Sequence, residues 1–256
     1  MALFDNKIGM VMGVANDRSI AWAMSQALWA EGAELAFTHL PSQSAERRVR
    51  KLTDAHDPKI VLPCDVQKDD DIARVFATVE KTYGRLDFLI HSIAFAPPQE
   101  LRSPYVEMSR EGWHLAMDIS AYSLVACSRE ASRLMTDGGS IITVSYYGGE
   151  KVIPGYNVMG VCKATLEHSV RYLAWDLGPK GIRVNAISAG PMKTLSSAGI
   201  SDFDQMQNHA AQRSPLRRNV EFRELADTAV YLLGDQSSGV TGELLHVDCG
   251  YSILGL

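Results

Sequence analysis

"KIGMVMGVANDRSIAWAMSQALWA", residues 7–30, is the stretch whose reading decides the fold. Its first half, Ile8 to Val14, is an apolar run that reads as a strand, and a polar stretch from Ala15 to Arg18 closes it. Beyond Ser19 the apolar residues Ile20, Met24, Ala27 and Leu28 recur at helical spacing. Strand, loop and helix in that order open a βαβ unit, and Gly13 stands where the loop turns tightly.

The same alternation continues to the carboxyl end. "AELAFTHL" (33–40), "KIVLPCDV" (59–66), "RLDFLIHSIAF" (85–95), "GSIITVSYY" (139–147) and "IRVNAISAGP" (182–191) are further strands, and "GELLHVDCG" (242–250) is the last. Helical patterns cover about 42–55, 69–83, 109–135, 153–178 and 221–233. Asp69 and Asp70 stand in the first turn of their helix, where the macrodipole favours negative charge. Strands one to six are continuous apolar runs, as parallel strands covered on both faces require. The expectation is an α/β, single-domain, Rossmann-type doubly wound parallel sheet with helices on both faces, spanning 1–256.

Bulk properties narrow the function. Of 256 residues, 46% are hydrophobic and 21% charged, enough for one substantial core. Lys and Arg total 25 against 30 Asp and Glu, a net charge of −5 that argues against nucleic acid as the main partner. The basic patch "ERRVRK" (46–51) reads as the solvated face of a helix. The amino terminus lacks a basic n-region, and no apolar stretch approaches the ~20 residues that span a bilayer. Cys64, Cys127, Cys162 and Cys249 are far apart without a CxxC, which suggests reduced thiols, a cytoplasmic protein and no metal site.

In a doubly wound sheet, ligands lie beyond the carboxyl ends of the strands. The loops there are "GVANDRSIA", "THLPS", "CDV", "HSIAFAPP", "SYYGG" and "SAGPMKT". The first lacks G-x-G-x-x-G, although the Ser19 and Ile20 amides suit a pyrophosphate; Ser19 is equally suited to cap its helix. Asp65 fits either an adenine amino group or a turn. Strand two ends in His39, Leu40 and Pro41, with neither an acid nor an arginine, and Arg47 and Arg48 lie too far into the next helix. The missing phosphate partner favours NADH, with NADPH left open.

Tyr156 and Lys163 are seven positions apart on one helical pattern, almost two turns or ~10.5 Å of rise, and face nearly the same way. Beside a nicotinamide, such a lysine reaches ribose hydroxyls while the phenol points at a carbonyl. Tyr146, at the end of strand five, enters the same cleft from its other wall. Taken alone, a tyrosine at a helix start is more often packing than chemistry.

Taken together, Tyr146-x9-Tyr156-x6-Lys163, "GVANDRSIAWA", "HSIAFAP" and "RVNAISAGPMKTLSSAGI" resemble the bacterial-type enoyl-acyl-carrier-protein reductases, a divergent branch of the short-chain dehydrogenase/reductases. Ordinary members of that superfamily use Tyr-x3-Lys, a glycine where Ser19 stands and Asn-Ala-Gly after strand four, where this chain has Ser92-Ile93-Ala94. The resemblance runs from about Ile8 to the end. It implies reduction of the 2,3 double bond of an enoyl thioester on acyl carrier protein, by NADH, in a cytoplasmic homotetramer. It also implies catalytic roles for Tyr146, Tyr156 and Lys163. Gly13, Ser19, Ile20, Asp65, Val66, Ile93, Lys163 and Thr194 match cofactor-binding positions, and Ala96, Tyr146, Tyr156, Met159 and Met206 fall at the substrate.

Residues 192–210 would form a lid over the acyl chain, although the sequence alone suits a permanently packed helical excursion as well; Ile200 and Phe203 are further lining candidates that core packing also explains. The family often carries an amide where Leu40 stands. Basic residues expected near the lid are absent from Ser201, Asp202, Asp204 and Gln205, which shifts the expected carrier contact to Lys193, Arg213, Arg217 or Arg218. The alternatives are a ketone- or alcohol-specific dehydrogenase, or a non-catalytic nicotinamide-binding protein on the same fold.

Overall fold

The computed structural model describes residues 2–195 and 203–255. Strands β1 (Ile8–Met12), β2 (Glu34–His39), β3 (Val61–Pro63), β4 (Phe88–His91), β5 (Gly139–Tyr146), β6 (Ile182–Ala189) and β7 (Leu244–Val247) form one sheet. Its order is β3-β2-β1-β4-β5-β6-β7, and every adjacent pair is parallel. The order reverses at β1 and β4, so the crevice at their carboxyl ends is the switch point where such sheets bind ligands.

Helices α1 (Ile20–Ala30), α2 (Gln43–Thr53), α3 (Asp69–Tyr83), α4 (Pro98–Arg102), α5 (Arg110–Met117), α6 (Ser123–Leu134), α7 (Asn157–Leu177), α8 (Phe203–Arg213) and α9 (Phe222–Leu233) complete the described elements. The continuous apolar runs are used on alternate faces. Met10, Met12, Leu89, Ile141 and Val184 join a core under α3, α6 and α7, whereas Val11, Ile90, Ile142 and Ile187 join one under α1, α2 and α9. Helices therefore cover both faces, as the strand patterns require.

Two elements differ from the sequence reading. The single long helix expected over 109–135 is interrupted: between α5 and α6 the chain makes a π-helical stretch, Asp118–Tyr122. Part of the expected lid is regular helix, α8, while residues 196–202, including Ile200, Ser201 and Asp202, lie outside the described residues. No helix among the described residues is long and apolar enough to cross a membrane.

Candidate active site

The cofactor positions begin at the loop between β1 and α1. Gly13 has φ +113°, and a Cβ there would lie 2.0 Å from the Ser92 carbonyl oxygen. This glycine is thus required by the approach of the β4 end, before any ligand is considered. Ser19 stands at the N-cap position of α1 but makes no cap bond. Its Oγ instead accepts from the Ala15 amide at 2.9 Å and the Asn16 amide at 3.0 Å, folding the loop back on itself. The Ile20 and Ala21 amides, at the positive end of α1, are left without partners among the described residues. Two free amides there are the feature a pyrophosphate uses, so this loop fits a dinucleotide.

One arginine of α2 reaches further than its place in the helix suggests. Arg48 returns over the β1–α1 loop, where its Nε donates to the Ala15 carbonyl at 3.2 Å. The helix axis carries the side chain back over the loop, a tertiary effect that distance along the chain does not reveal. Asp65 takes the turn role: its Oδ1 accepts from the Gln67 amide at 3.2 Å, and its Oδ2 lies 3.3 Å from Lys68 Nζ. Val66 is buried, Ile93 half-buried just past β4, and Thr194 half-buried beyond β6.

The catalytic candidates converge at the end of β5. Tyr156 stands at the N-cap position of α7, and its ring meets that of Tyr146 edge to face with centroids 5.0 Å apart. Its hydroxyl has no hydrogen-bond partner among the described residues, whereas the Tyr146 hydroxyl donates to Met206 Sδ on α8 at 3.1 Å. Burial pushes both phenols well above the usual tyrosine range, so each remains a proton donor. Lys163, two turns along α7, is buried and donates from Nζ to the Val144 carbonyl at 2.6 Å. That leaves two of its three donors for a ligand. Burial lowers its pKa to about 8.

Ala96, Tyr156 and Met159 share one buried apolar cluster, against which Tyr146, Met108, Trp113 and Ile153 pack. Met206 reaches it through the Tyr146 hydroxyl. The cluster and the Tyr146–Met206 contact thus bring the five substrate candidates together, and buried Lys163 lies two turns further along α7. An apolar chain ending in a carbonyl matches these surroundings.

Comparison with known proteins agrees with this geometry. Residues 13–252 match the family described as enoyl-(acyl carrier protein) reductase. The chain belongs to that family. A Bacillus cereus relative named enoyl-[acyl-carrier-protein] reductase [NADH] FabI is 50% identical over 257 residues, covering 100% of both chains. A Nostoc relative of the same name is 49% identical, covering 98% of each. Among solved structures, the Anaplasma phagocytophilum reductase in complex with NAD superposes with a TM-score of 0.95 at 48% identity, covering 100% of this chain and 97% of that one. The Bacillus cereus reductase with NADP+ and an indole naphthyridinone gives 0.97 at 50% identity, with 100% of both covered.

Within this reductase fold, several residues that hold the tyrosine pair escape the sequence reading. A Cβ on Gly148 would sit 2.5 Å from Tyr156 Cδ1, and one on Gly160 would sit 2.7 Å from the Gly148 carbonyl. The two glycines let α7 close onto the turn after β5 and set the Tyr156 ring. Asn157 has φ +34°, and its Nδ2 donates to the Ser103 carbonyl at 2.7 Å and to that of Leu101 at 3.2 Å. It ties the start of α7 to the end of α4. Ser120, inside the π-helical stretch, accepts from the Phe95 amide and donates to the Phe95 carbonyl, both at 2.9 Å, fixing the strand end beside Ala96. The "SYYGG" and "GYN" spellings carry the first two signals; nothing local announces the third.

Proposed function

We propose that this chain reduces the 2,3 double bond of an enoyl thioester carried on acyl carrier protein, in fatty acid elongation, with NADH preferred over NADPH. The observation that carries the reading is the Tyr156 hydroxyl. It is protonated and without a partner among the described residues, opens on an apolar cluster, and lies two helical turns from a buried lysine with donors to spare. NADH bound at the β1–α1 loop would supply a hydride to the β-carbon, and a proton from solvent would complete the α-carbon. Tyr156 donates to the thioester oxygen, where negative charge builds as the double bond is reduced, so its bond is stronger in the transition state than in the ground state. Lys163 would hold the nicotinamide ribose through the donors left free by its bond to the Val144 carbonyl. Tyr146 forms the opposite wall, its hydroxyl tied to the lid helix through Met206. The chain works as one domain whose lid spans 192–210.

The preference for NADH agrees with the names of the relatives and with a strand two that ends in His39 and an exposed Leu40. The test is oxidation of NADH and of NADPH, in parallel, by a crotonyl or octenoyl thioester. Faster oxidation of NADH is expected, and no oxidation of either overturns the reading.

The ion pairs around the lid support a narrower carrier contact. Lys193 Nζ is 2.7 Å from Asp204, and Arg218 is held by both oxygens of Glu224 at 2.9 and 2.5 Å. Arg213 makes no such bond among the described residues, and Arg217 bonds only to carbonyls at the end of α8. We therefore assign the acidic carrier to Arg213 and Arg217. Reversing both to Glu should lower kcat/KM for the carrier-bound substrate by about tenfold or more and leave a short free thioester unaffected. An unchanged rate with the carrier contradicts the assignment.

A homotetramer in the cytoplasm completes the proposal. The outer faces of α6 and α7 leave Tyr172 66% and Trp175 82% exposed, beside a groove of about 520 Å³ lined by Val125, Val161, Ala164 and Leu173. Another copy of the chain would cover this surface. Light scattering should give a tetramer mass that falls on Trp175→Glu; a monomer for the parent chain overturns it.

A further inference from the structure

Glu167 is a buried carboxylate for which the reaction above has no use. It lies on α7 one turn beyond Lys163, 6% exposed. Ser145 Oγ donates to its Oε1 at 2.5 Å, and a Cβ on Gly149 would come within 2.4 Å of the same oxygen. Lys163 grips the carbonyl of Val144, the residue immediately before Ser145. Two side chains one turn apart on α7 thus hold two consecutive residues of β5, just ahead of Tyr146. Such a carboxylate is costly to bury unless its charge is used.

We propose that Glu167 is a positioning residue of this site: it anchors the end of β5 through Ser145 and is the counter-charge that keeps the buried Lys163 ammonium protonated. The proposal rests on the reductase reading only for what the ammonium then does. The groups facing Glu167 are Ser145 from β5, Glu150 from the turn beyond it, His246 from β7, and Lys163 and Tyr156 from α7. Lys163 is the buried cation among them. Glu150 is engaged by His246, whose Nε2 is 2.5 Å from its Oε1. Lys163 itself also faces Cys162 on α7 and His91 from β4; burial lowers its pKa, and Cys162 and then the Glu167 charge oppose that fall. Burial raises the Glu167 pKa, while the Ser145 bond and Lys163 act to keep it ionised.

The test reads Lys163 directly. In protein labelled with 13C at lysine Cε, and with Lys163→Arg to assign the resonance, the titration midpoint of Lys163 is compared among variants. Glu167→Gln keeps the shape and a bond to Ser145 but removes the charge. Its Lys163 midpoint should fall by about one to two pH units, the size expected for a unit charge four residues along the same helix, where side chains start ~5–6 Å apart, at an effective dielectric of ~20. Glu167→Asp keeps the charge, loses reach to Ser145, and should hold the midpoint within about half a unit while kcat drops.

NADH affinity should weaken at correspondingly lower pH in Glu167→Gln, because the ammonium is lost as pH rises through its pKa. A Glu167→Gln midpoint equal to that of the parent chain overturns the counter-charge. If Glu167→Gln does not fold, a drop of a full unit in Glu167→Asp overturns it as well. The titration needs neither cofactor nor substrate, so failure of the counter-charge is distinguishable from failure of the reductase reading.

Discussion

Tyr156→Phe should lower kcat by about 10²–10³-fold while leaving thermal stability and NADH binding close to those of the parent chain. The magnitude is that of removing one donor aimed at a developing oxyanion, ~2.7–4 kcal/mol of transition-state stabilisation. Stability is spared because the hydroxyl has no partner within the described protein. Removing it breaks no bond within the described protein. Tyr146→Phe is the control, since it loses only the contact with Met206 Sδ and should be milder. Steady-state kinetics with an enoyl thioester, together with thermal melts, separate the two. A Tyr156→Phe variant with full turnover would remove Tyr156 from the chemistry.

Gly13→Ala carries the largest expected effect on stability. Its φ of +113° is a conformation that side chains rarely adopt, and the added Cβ would meet the Ser92 oxygen at 2.0 Å and the Ser92 carbonyl carbon at 2.6 Å. Those are backbone atoms at the end of β4, so no rotamer change relieves the clash. Strain and overpacking together should cost about 3–5 kcal/mol. For a chain of this length that is a fall in Tm of about 10 °C. Gly84, with φ +74° and nothing within 4 Å of its would-be Cβ, supplies the comparison: alanine there carries backbone strain alone and should cost about 1–2 kcal/mol. Equal melts for the two variants would show that the approach of Ser92 is not what fixes Gly13.

Much of the sheet is legible in the sequence because parallel strands covered on both faces must be apolar throughout, and all seven expected strands pair in it. The tyrosine pair is legible too, since Tyr146 closes β5, Tyr156 opens α7, and short-range geometry brings their rings together. What escapes depends on contacts between residues far apart in the chain. The apolar pattern of 109–135 runs straight through Asp118–Tyr122, and the Ser120 bonds to Phe95 that accompany the π-helical stretch reach 25 residues back along the chain. Arg48 looks remote because distance along a helix hides where a long side chain returns. Glu167 reads as one more charge on an amphipathic helix until Ser145 and Gly149 are placed against it. Ser19 suits a helix cap, yet its hydroxyl serves the preceding loop, a choice between two local partners that composition does not decide.

The central claim is that Tyr156 and Lys163 serve reduction of a carbon–carbon double bond rather than of a carbonyl. The most direct measurement uses nicotinamide deuterated at the transferring C4 position, offered with an enoyl thioester and, separately, with a 3-ketoacyl thioester of the same length. The account predicts cofactor oxidation with the enoyl thioester and deuterium on the β-carbon of a saturated acyl product, with no turnover of the ketoacyl substrate. Deuterium on a carbinol carbon formed from the ketoacyl thioester, with the enoyl thioester left unreduced, would contradict it.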